Sequence, residues 1–374
     1  MRVVALREQW PGEYRIALVP AIAKKLVSLG CTVTIQHGLG DSAGFTDQQY
    51  LETNAHIGHN VEEILKHADV VLSVRPPSDQ RVSMMRQGTV HLSFLDPFQK
   101  NGLIQKLAHQ GVTAVSLEMI PRTTRAQKMD ALSSQANLAG YATVIVAAYH
   151  LPRIFPMMMT AAGTLAPARV FVIGAGVAGL QAIATARRLG ARVDAFDTRP
   201  VVAEEVRSLG ARFVEIDVGA TGQTQQGYAR ELTPEQIKLQ QQGMAEVIAR
   251  SDVVITTAQV FGRPAPRIVS LDMIKRMRPE SVVIDMAVES GGNVEGSKVN
   301  QIVEVNDVQL VGFANLPAKV ATHASEMYSA NLFHYFEEFF NSDTKNFELD
   351  FEDEIARTSV ITHEGNVRIE LHNG

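Results

Sequence analysis

Short runs of branched apolar residues alternate with stretches of helical spacing along most of this chain. That is the pattern of strands buried on both faces and joined by helices, so it predicts parallel α/β sheets. In the first third, Val3-Val4-Ala5, Val33-Thr34-Ile35, Val70 to Val74, Thr89 to Ser93 and Val112 to Val115 read as strands. Helices are expected over Pro20–Leu29, where Gly30 stops the pattern, and over Val61–His67. Ala131 to His150 is rich in Ala, Leu and Val at the spacing of a long buried helix, the expected hinge between two domains. A second strand series follows at Arg169–Ile173, Ala191–Asp197, Arg212–Ile216, Val253–Thr257, Ser281–Asp285 and Val308–Gly312. Six strands match two mononucleotide-binding halves. Thr322–Phe340 reads as a long helix returning to the first domain. Ser359–Thr362 and Val367–Ile369 flank Glu364-Gly365-Asn366 as a terminal hairpin. The expected fold is α/β, two Rossmann-like doubly wound parallel-sheet domains joined by long helices. Residues 1–133 and 320–374 form the discontinuous N-terminal domain, and 134–319 the second.

Only the second series carries a glycine fingerprint. After Ile173 come Gly174-Ala175-Gly176-Val177-Ala178-Gly179, a helical segment, the stop at Gly190, a strand and then Asp197. Gly174 permits the tight turn, Gly176 removes a Cβ that would block a pyrophosphate, and Gly179 lets helix and strand approach. The helix N-terminus, at Val177 and Ala178, offers N–H donors and a positive dipole end. Asp197, roughly 20 residues on, stands where a carboxylate accepts the adenosine ribose hydroxyls. A lone glycine motif is weak, but here strand, turn, helix, strand and acid fall in register. The segment predicts a dinucleotide site, with Asp197 arguing for NAD over NADP. Arg199 leaves a 2′-phosphate open. Thr198 beside the acid, and Thr257 and Ala258 at the end of the fourth strand, complete the candidate cofactor-binding residues.

Two polar stretches are candidates for function. Arg122 to Asp130 follows a strand and reads as a loop at a sheet's carboxyl end, where binding residues gather. A solvated surface loop is its other reading. Val218 to Thr233 is dense in Gly, Thr and Gln, and a loop of about 15 residues without structure is often a lid. Its alternative is a surface insertion with an incidental Tyr228.

Composition narrows the class. Hydrophobic content of 45% and charged content of 20% describe a folded globular chain, and 374 residues predict about two domains. A net charge of −5 gives no support to nucleic-acid or anionic-membrane binding. One cysteine, Cys31, excludes an internal disulfide, fits a reducing compartment and reads as packing. Met1 to Leu6 already reads as a core strand, so no signal peptide is expected. The most apolar region, Tyr141–Leu180, is broken by Pro152, Arg153, Pro156, Pro167 and Arg169, so no membrane span is expected.

These motifs carry a family resemblance. Pro121-Arg122 through Asn137-Leu138-Ala139-Gly140-Tyr141, Gly174 through Ile183, Gly227-Tyr228-Ala229 and Gly262-Arg263-Pro264-Ala265-Pro266 resemble the NAD(H)-binding component, domain I, of proton-translocating nicotinamide nucleotide transhydrogenases. That family is related to alanine dehydrogenase. The likeness runs from Met1 to about Asn341. It implies that Arg122, Gln127, Asp130 and Ser133 surround the nicotinamide and its ribose, with Gln127, Arg122 and Asp130 at the reacting end. It implies Tyr228 on a mobile loop that closes over nucleotide. The implied activity is hydride transfer from NADH to NADP held by a partner domain, coupled to proton movement through a membrane domain. The implied chain is a homodimer, cytoplasmic and peripheral on the inner face of the cytoplasmic membrane, with its partners on separate chains.

The residues add an independent argument. Oxidising an amine or alcohol needs a group to take a proton as hydride leaves. Exchange between two nicotinamide rings needs only alignment and exclusion of water. Where alanine dehydrogenases carry a Lys and a His, this chain holds Arg75 and Asp96, although Arg15 matches their substrate arginine. His91 reads as packing. An alanine-dehydrogenase-like NAD-dependent amino-acid oxidoreductase is the alternative, and an NAD-binding module without hydride transfer is a third. No metal is expected.

Overall fold

The computed structural model describes residues 1–217, 233–259 and 261–369. The expected lid, with Tyr228, falls on residues 218–232 and so lies outside the described residues. The chain divides into two units, Met1–Gln135 with Pro317–Gly374, and Ala136–Leu316.

The first unit is built on a sheet ordered Asn366–Val367, Val360–His363, Thr113–Ser116, Val90–Ser93, Val70–Leu72, Arg2–Ala5, Thr32–Gln36, His56–Gly58. Its six N-terminal strands are parallel. Numbered in chain order they lie 3-2-1-4-5-6, the doubly wound arrangement. The two C-terminal strands add antiparallel to its edge. Val70–Leu72, Val90–Ser93 and Thr113–Ser116 are buried throughout, as strands covered on both faces must be. The helix Ala321–Phe339 buries Tyr328, Leu332, Tyr335 and Phe336 in the same core as Val3, Val33 and Val70. Tyr328 donates its hydroxyl to the Ser73 carbonyl at 2.8 Å, so even this ring's polar tip is satisfied.

The second unit repeats the order. Arg212–Phe213, Arg192–Phe196, Arg169–Ile173, Val253–Thr256, Val282–Asp285 and Val308–Val311 run parallel, and Ile302–Val305 adds antiparallel to the last.

Several expectations change. The third strand of the second unit is two residues, not five. Val214 still donates to the Ala195 carbonyl at 2.8 Å, but Arg207 then takes the Glu215 carboxylate at 2.6 Å and the chain leaves the sheet. His56–Gly58 and Ile302–Val305 were not anticipated; both are short edge strands with polar or half-exposed positions. A hairpin, Met158–Thr160 with Gly163–Leu165, stands within the broken apolar region. Arg125–Met129, expected as loop, winds into a short 3₁₀ helix over buried Ala126 and Met129.

The helix Ala131–His150 forms over the expected span, but it is not buried all round. Tyr141, Ile145 and Tyr149, four residues apart, are 42%, 40% and 84% exposed. On another face Gly140 meets the start of the helix Val177–Arg188: a Cβ there would lie 2.3 Å from the Ala178 carbonyl oxygen. Gly140→Ala should therefore force the two helices apart and cost about 1–3 kcal/mol. A urea midpoint equal to that of the parent chain would show that the contact yields freely.

Candidate functional site

The strand Arg169–Ile173 runs straight into the glycine turn. Gly174 has φ +102°, a conformation that favours glycine, and a Cβ on it would strike the Thr257 hydroxyl at 2.3 Å. Gly179 is more crowded: its added Cβ would sit 1.9 Å from the Gly174 carbonyl oxygen. Gly176, in contrast, faces open space, with nothing within 4 Å of an added Cβ. It is the N-cap of the helix Val177–Arg188 and supplies no side-chain cap. The first-turn N–H groups of Val177, Ala178 and Gly179 therefore point along the helix axis without partners from their own helix. Fixed donors, a positive dipole end and space beside Gly176 suit an anion.

Around this turn the side chains lock backbone to backbone. The Thr257 hydroxyl donates toward the Gly174 carbonyl at 3.1 Å and the Ile173 carbonyl at 3.3 Å, tying the exits of two adjacent strands. Ala258 is held by Asn293, whose Oδ1 accepts from the Ala258 N–H at 3.1 Å and whose Nδ2 donates to the Ala258 carbonyl at 2.8 Å. The same Nδ2 donates to Pro266 at 2.8 Å. Asn293 is held in turn by Asp285, which accepts from the N–H groups of Ala287, Asn293 and Val294. Asn293 and Asp285 are both buried. Sequence reasoning missed this pair; the available signal was Gly291-Gly292, at φ +102° and +80°, turning the chain into Asn293.

At the end of the neighbouring strand, Asp197 accepts from the Ala175 N–H at 2.7 Å, from the Arg199 N–H at 2.8 Å and from the Arg199 guanidinium at 3.0 and 3.1 Å. Burial alone would raise this carboxyl. The guanidinium and the two N–H donors outweigh it and hold the pKa below the ordinary 3.8. Thr198 is exposed beside it.

Arg122, Gln127, Asp130 and Ser133 all belong to the first unit. Asp130 and Ser133 are joined: the Asp130 carboxylate accepts from the Ser133 N–H at 2.9 Å and hydroxyl at 2.6 Å, closing the start of the helix Ala131–His150. Arg122 and Gln127 are exposed. Asn331, also missed from sequence, braces this segment from below. Its Nδ2 donates to the Lys128 carbonyl at 2.8 Å and its Oδ1 accepts from the Ser134 hydroxyl at 2.7 Å. Arg125 pairs with Asp353 and, at 3.4 Å, with Glu338.

The remaining polar cluster of the first unit is internally matched. Arg15 is buried and grips Glu13 through Nε at 2.8 Å and Nη2 at 2.7 Å, and Arg75 reaches the same carboxylate at 2.8 Å. His91 is fully buried on Ser93, and burial, aided by Arg81, lowers its pKa to about 3, which leaves it neutral. Cys31 is also buried, which raises its thiol. Among the described residues no group of His, Cys, Asp and Glu could hold a metal ion. No described helix is long and apolar enough to cross a membrane.

A family model of the alanine dehydrogenase/PNT N-terminal domain matches residues 4–139, and one of the C-terminal domain matches residues 143–370. The chain belongs to the alanine dehydrogenase/PNT family. Within that family it is similar to the first portion of the NAD(P) transhydrogenase subunit alpha of Rhodospirillum rubrum, at 41% identity over 98% of this chain and 97% of that one. NAD(P) transhydrogenase subunit alpha of Haemophilus influenzae is 38% identical, covering 96% of this chain and 70% of the relative. Alanine dehydrogenase of Mycobacterium tuberculosis is more distant, at 29% over 86% of this chain and 82% of the relative. Among solved structures, a transhydrogenase from Sinorhizobium meliloti gives a TM-score of 0.88 at 45% identity, covering 98% of this chain and all of that one. An L-alanine dehydrogenase gives 0.83 at 22% identity, with 98% and 96% covered, and shares the fold.

In this family member, the depressed Asp197 pKa has a sign that can be measured. A carboxylate whose folded pKa lies below its unfolded value stabilises the chain above the unfolded pKa and loses that contribution as pH falls through the folded one. Asp197→Asn should cost about 2 kcal/mol at pH 7, the scale of hydrogen bonds to a charged group. The deficit should shrink below about pH 4 as the parent's own carboxyl protonates. Melting curves of both proteins from pH 7 to pH 3 test this, and a constant gap would rule the charge out as the cause.

Proposed function

We propose that this chain is the NAD(H)-binding subunit of an NAD(P) transhydrogenase. The observation that carries the reading is the glycine turn: space beside Gly176, N–H donors at Val177, Ala178 and Gly179, and an acid, Asp197, at the end of the next strand. These residues fit a pyrophosphate and an adenosine ribose. Near full-length similarity to relatives named NAD(P) transhydrogenase subunit alpha supports the activity.

In this reading Gly174, Gly176, Val177, Ala178 and Gly179 hold the pyrophosphate, and Asp197, Thr198 and Arg199 meet the adenosine ribose. Thr257 and Ala258 line the neighbouring strand exit. Arg122, Gln127, Asp130 and Ser133 serve the nicotinamide end, and Tyr228 closes over it. NAD(H), when bound, supplies or accepts the hydride. The chain's own residues orient the ring and exclude water, and none of them has to exchange a proton. The acceptor is NADP(H) on a partner subunit, with Re/Si specificity and coupling to proton translocation through a membrane-spanning partner. That partner would hold the chain on the cytoplasmic face of the membrane.

A homodimer belongs to the same proposal. The stripe Tyr141, Ile145, Tyr149 and the exposed Met157, Met159 and Leu165 near the hairpin are apolar surface of a kind monomers rarely leave uncovered. The alternative, amino-acid oxidation, is weakened by the first unit, where Glu13 engages Arg15 and Arg75, and His91 is buried and neutral. Mixing the chain with NADH, pyruvate and ammonia tests it, since steady NADH consumption would revive the alternative.

Gln127 gives the mechanistic test. A neutral amide can hydrogen-bond the nicotinamide or its ribose without placing a charge beside the cationic oxidised ring. Gln127→Asn retracts that amide by one methylene, so NADH affinity should barely change. Transfer to an NADP analogue on the partner should fall roughly 10²-fold, the scale of a misplacement of about 1 Å. Equal loss of affinity and rate would make Gln127 an ordinary binding residue.

A further inference from the structure

We infer that Arg199 is a specificity-determining residue of the second unit: its guanidinium occupies the acid that the adenosine ribose needs, and a bound ribose must displace it. The inference rests on the proposed dinucleotide reading. It follows from a count of lone pairs. An ionised carboxylate offers about four acceptor positions on two oxygens. Asp197 Oδ1 accepts from the Arg199 N–H and Nε, and Oδ2 accepts from the Ala175 N–H and Arg199 Nη2. All four positions are taken by residues of this chain.

The four donors are unequal. The Ala175 N–H belongs to the glycine turn and the Arg199 N–H to the strand's exit, so both are fixed by the fold. The other two are carried on a side chain that is 56% exposed, while the Asp197 side chain beneath it is only 7% exposed. A ribose diol brings two O–H donors to the same carboxylate. It finds acceptors only where the guanidinium lets go, because the main-chain donors cannot move without unmaking the turn.

Displacement does not remove the cation. Arg199 is two residues from Asp197, so its guanidinium stays beside the 2′-oxygen. A 2′-phosphate, which an unscreened Asp197 would repel, finds there a bidentate partner suited to its oxygens. One side chain thus weakens NADH and softens the discrimination against NADPH. This accounts for an acid typical of NAD sites and an arginine typical of NADP sites standing in one cluster.

Titration of the purified full chain with NADH, NADPH and ADP-ribose, followed by nucleotide fluorescence or calorimetry, tests the assignment on Arg199→Gln and Arg199→Lys. Arg199→Gln should bind NADH about fivefold more tightly, the scale of a half-exposed ion pair given up by the free protein. It should bind NADPH about tenfold more weakly, the loss of one phosphate-bound cation. Arg199→Lys keeps the charge without the fork, so it should gain NADH affinity while retaining most NADPH affinity. Weaker NADH binding by Arg199→Gln would overturn the inference, because Arg199 would then assist the ribose. Unchanged affinities in both variants would overturn it too. If the parent chain binds neither NADH nor ADP-ribose, the dinucleotide reading itself fails, which the parent titration alone reveals.

Discussion

The second unit depends on one close approach of backbone to backbone. Gly179 lies against the Gly174 carbonyl so tightly that no side chain fits between them, and Thr257 fills the other side of Gly174 with its hydroxyl. First strand, first helix and fourth strand are therefore fixed to one another at a single point. Because interiors are packed near crystal density, a methyl group at that point is not absorbed locally. The geometry that crowds Gly174 and Gly179 is also what leaves Gly176 in the open. Packing and binding capacity are two consequences of one turn.

Buried amides extend that rigidity outward. Asn293 pairs with both backbone groups of Ala258 and reaches Pro266, while Asp285 fixes Asn293. Asn331 does the same work in the first unit, between Lys128 and Ser134, on either side of Asp130. An amide suits both places because it donates and accepts at once, and so satisfies an N–H or hydroxyl together with a carbonyl. A carboxylate at either position would face a carbonyl it cannot pair with, at the cost of an unmet buried acceptor.

What could be read from the sequence was what is local. The glycine turn is a matter of spacing within a few residues, and Val253–Thr256 or Val282–Asp285 announce themselves as unbroken apolar runs. The extent of the helix Ala131–His150 followed from its composition. Its outward apolar stripe did not, because Tyr141, Ile145 and Tyr149 look like core residues until the neighbours are known. Asn293 and Ala258 stand 35 residues apart, and Asn331 and Lys128 stand 203 apart. No periodicity connects positions so distant. Edge strands were missed for a related reason: a strand with one neighbour needs no continuous apolar run, so His56–Gly58 carries little pattern to detect.

The two units share strand order, and their difference lies in what fills the crevice where that order reverses. In an open parallel sheet the crevice forms at the carboxyl ends of the first and fourth strands, because their connections leave in opposite directions. In the first unit those strands are Arg2–Ala5 and Val70–Leu72. There Glu8 accepts from the Val74 and Arg75 N–H groups, and Arg81 donates to the Arg7 carbonyl. Glu13 draws Arg15 and Arg75 together a few residues further on. The chain's own carboxylates thus take the donors that an anionic ligand would otherwise use. In the second unit the corresponding strands end at Ile173 and Thr256, and only the small Thr257 hydroxyl bridges them. Asp197 stands one strand over, and the N–H groups of the helix start are left to something else. Identical topology therefore yields one crevice closed by internal salt bridges and one kept open by glycine, so the strand order alone does not determine which unit can take a nucleotide.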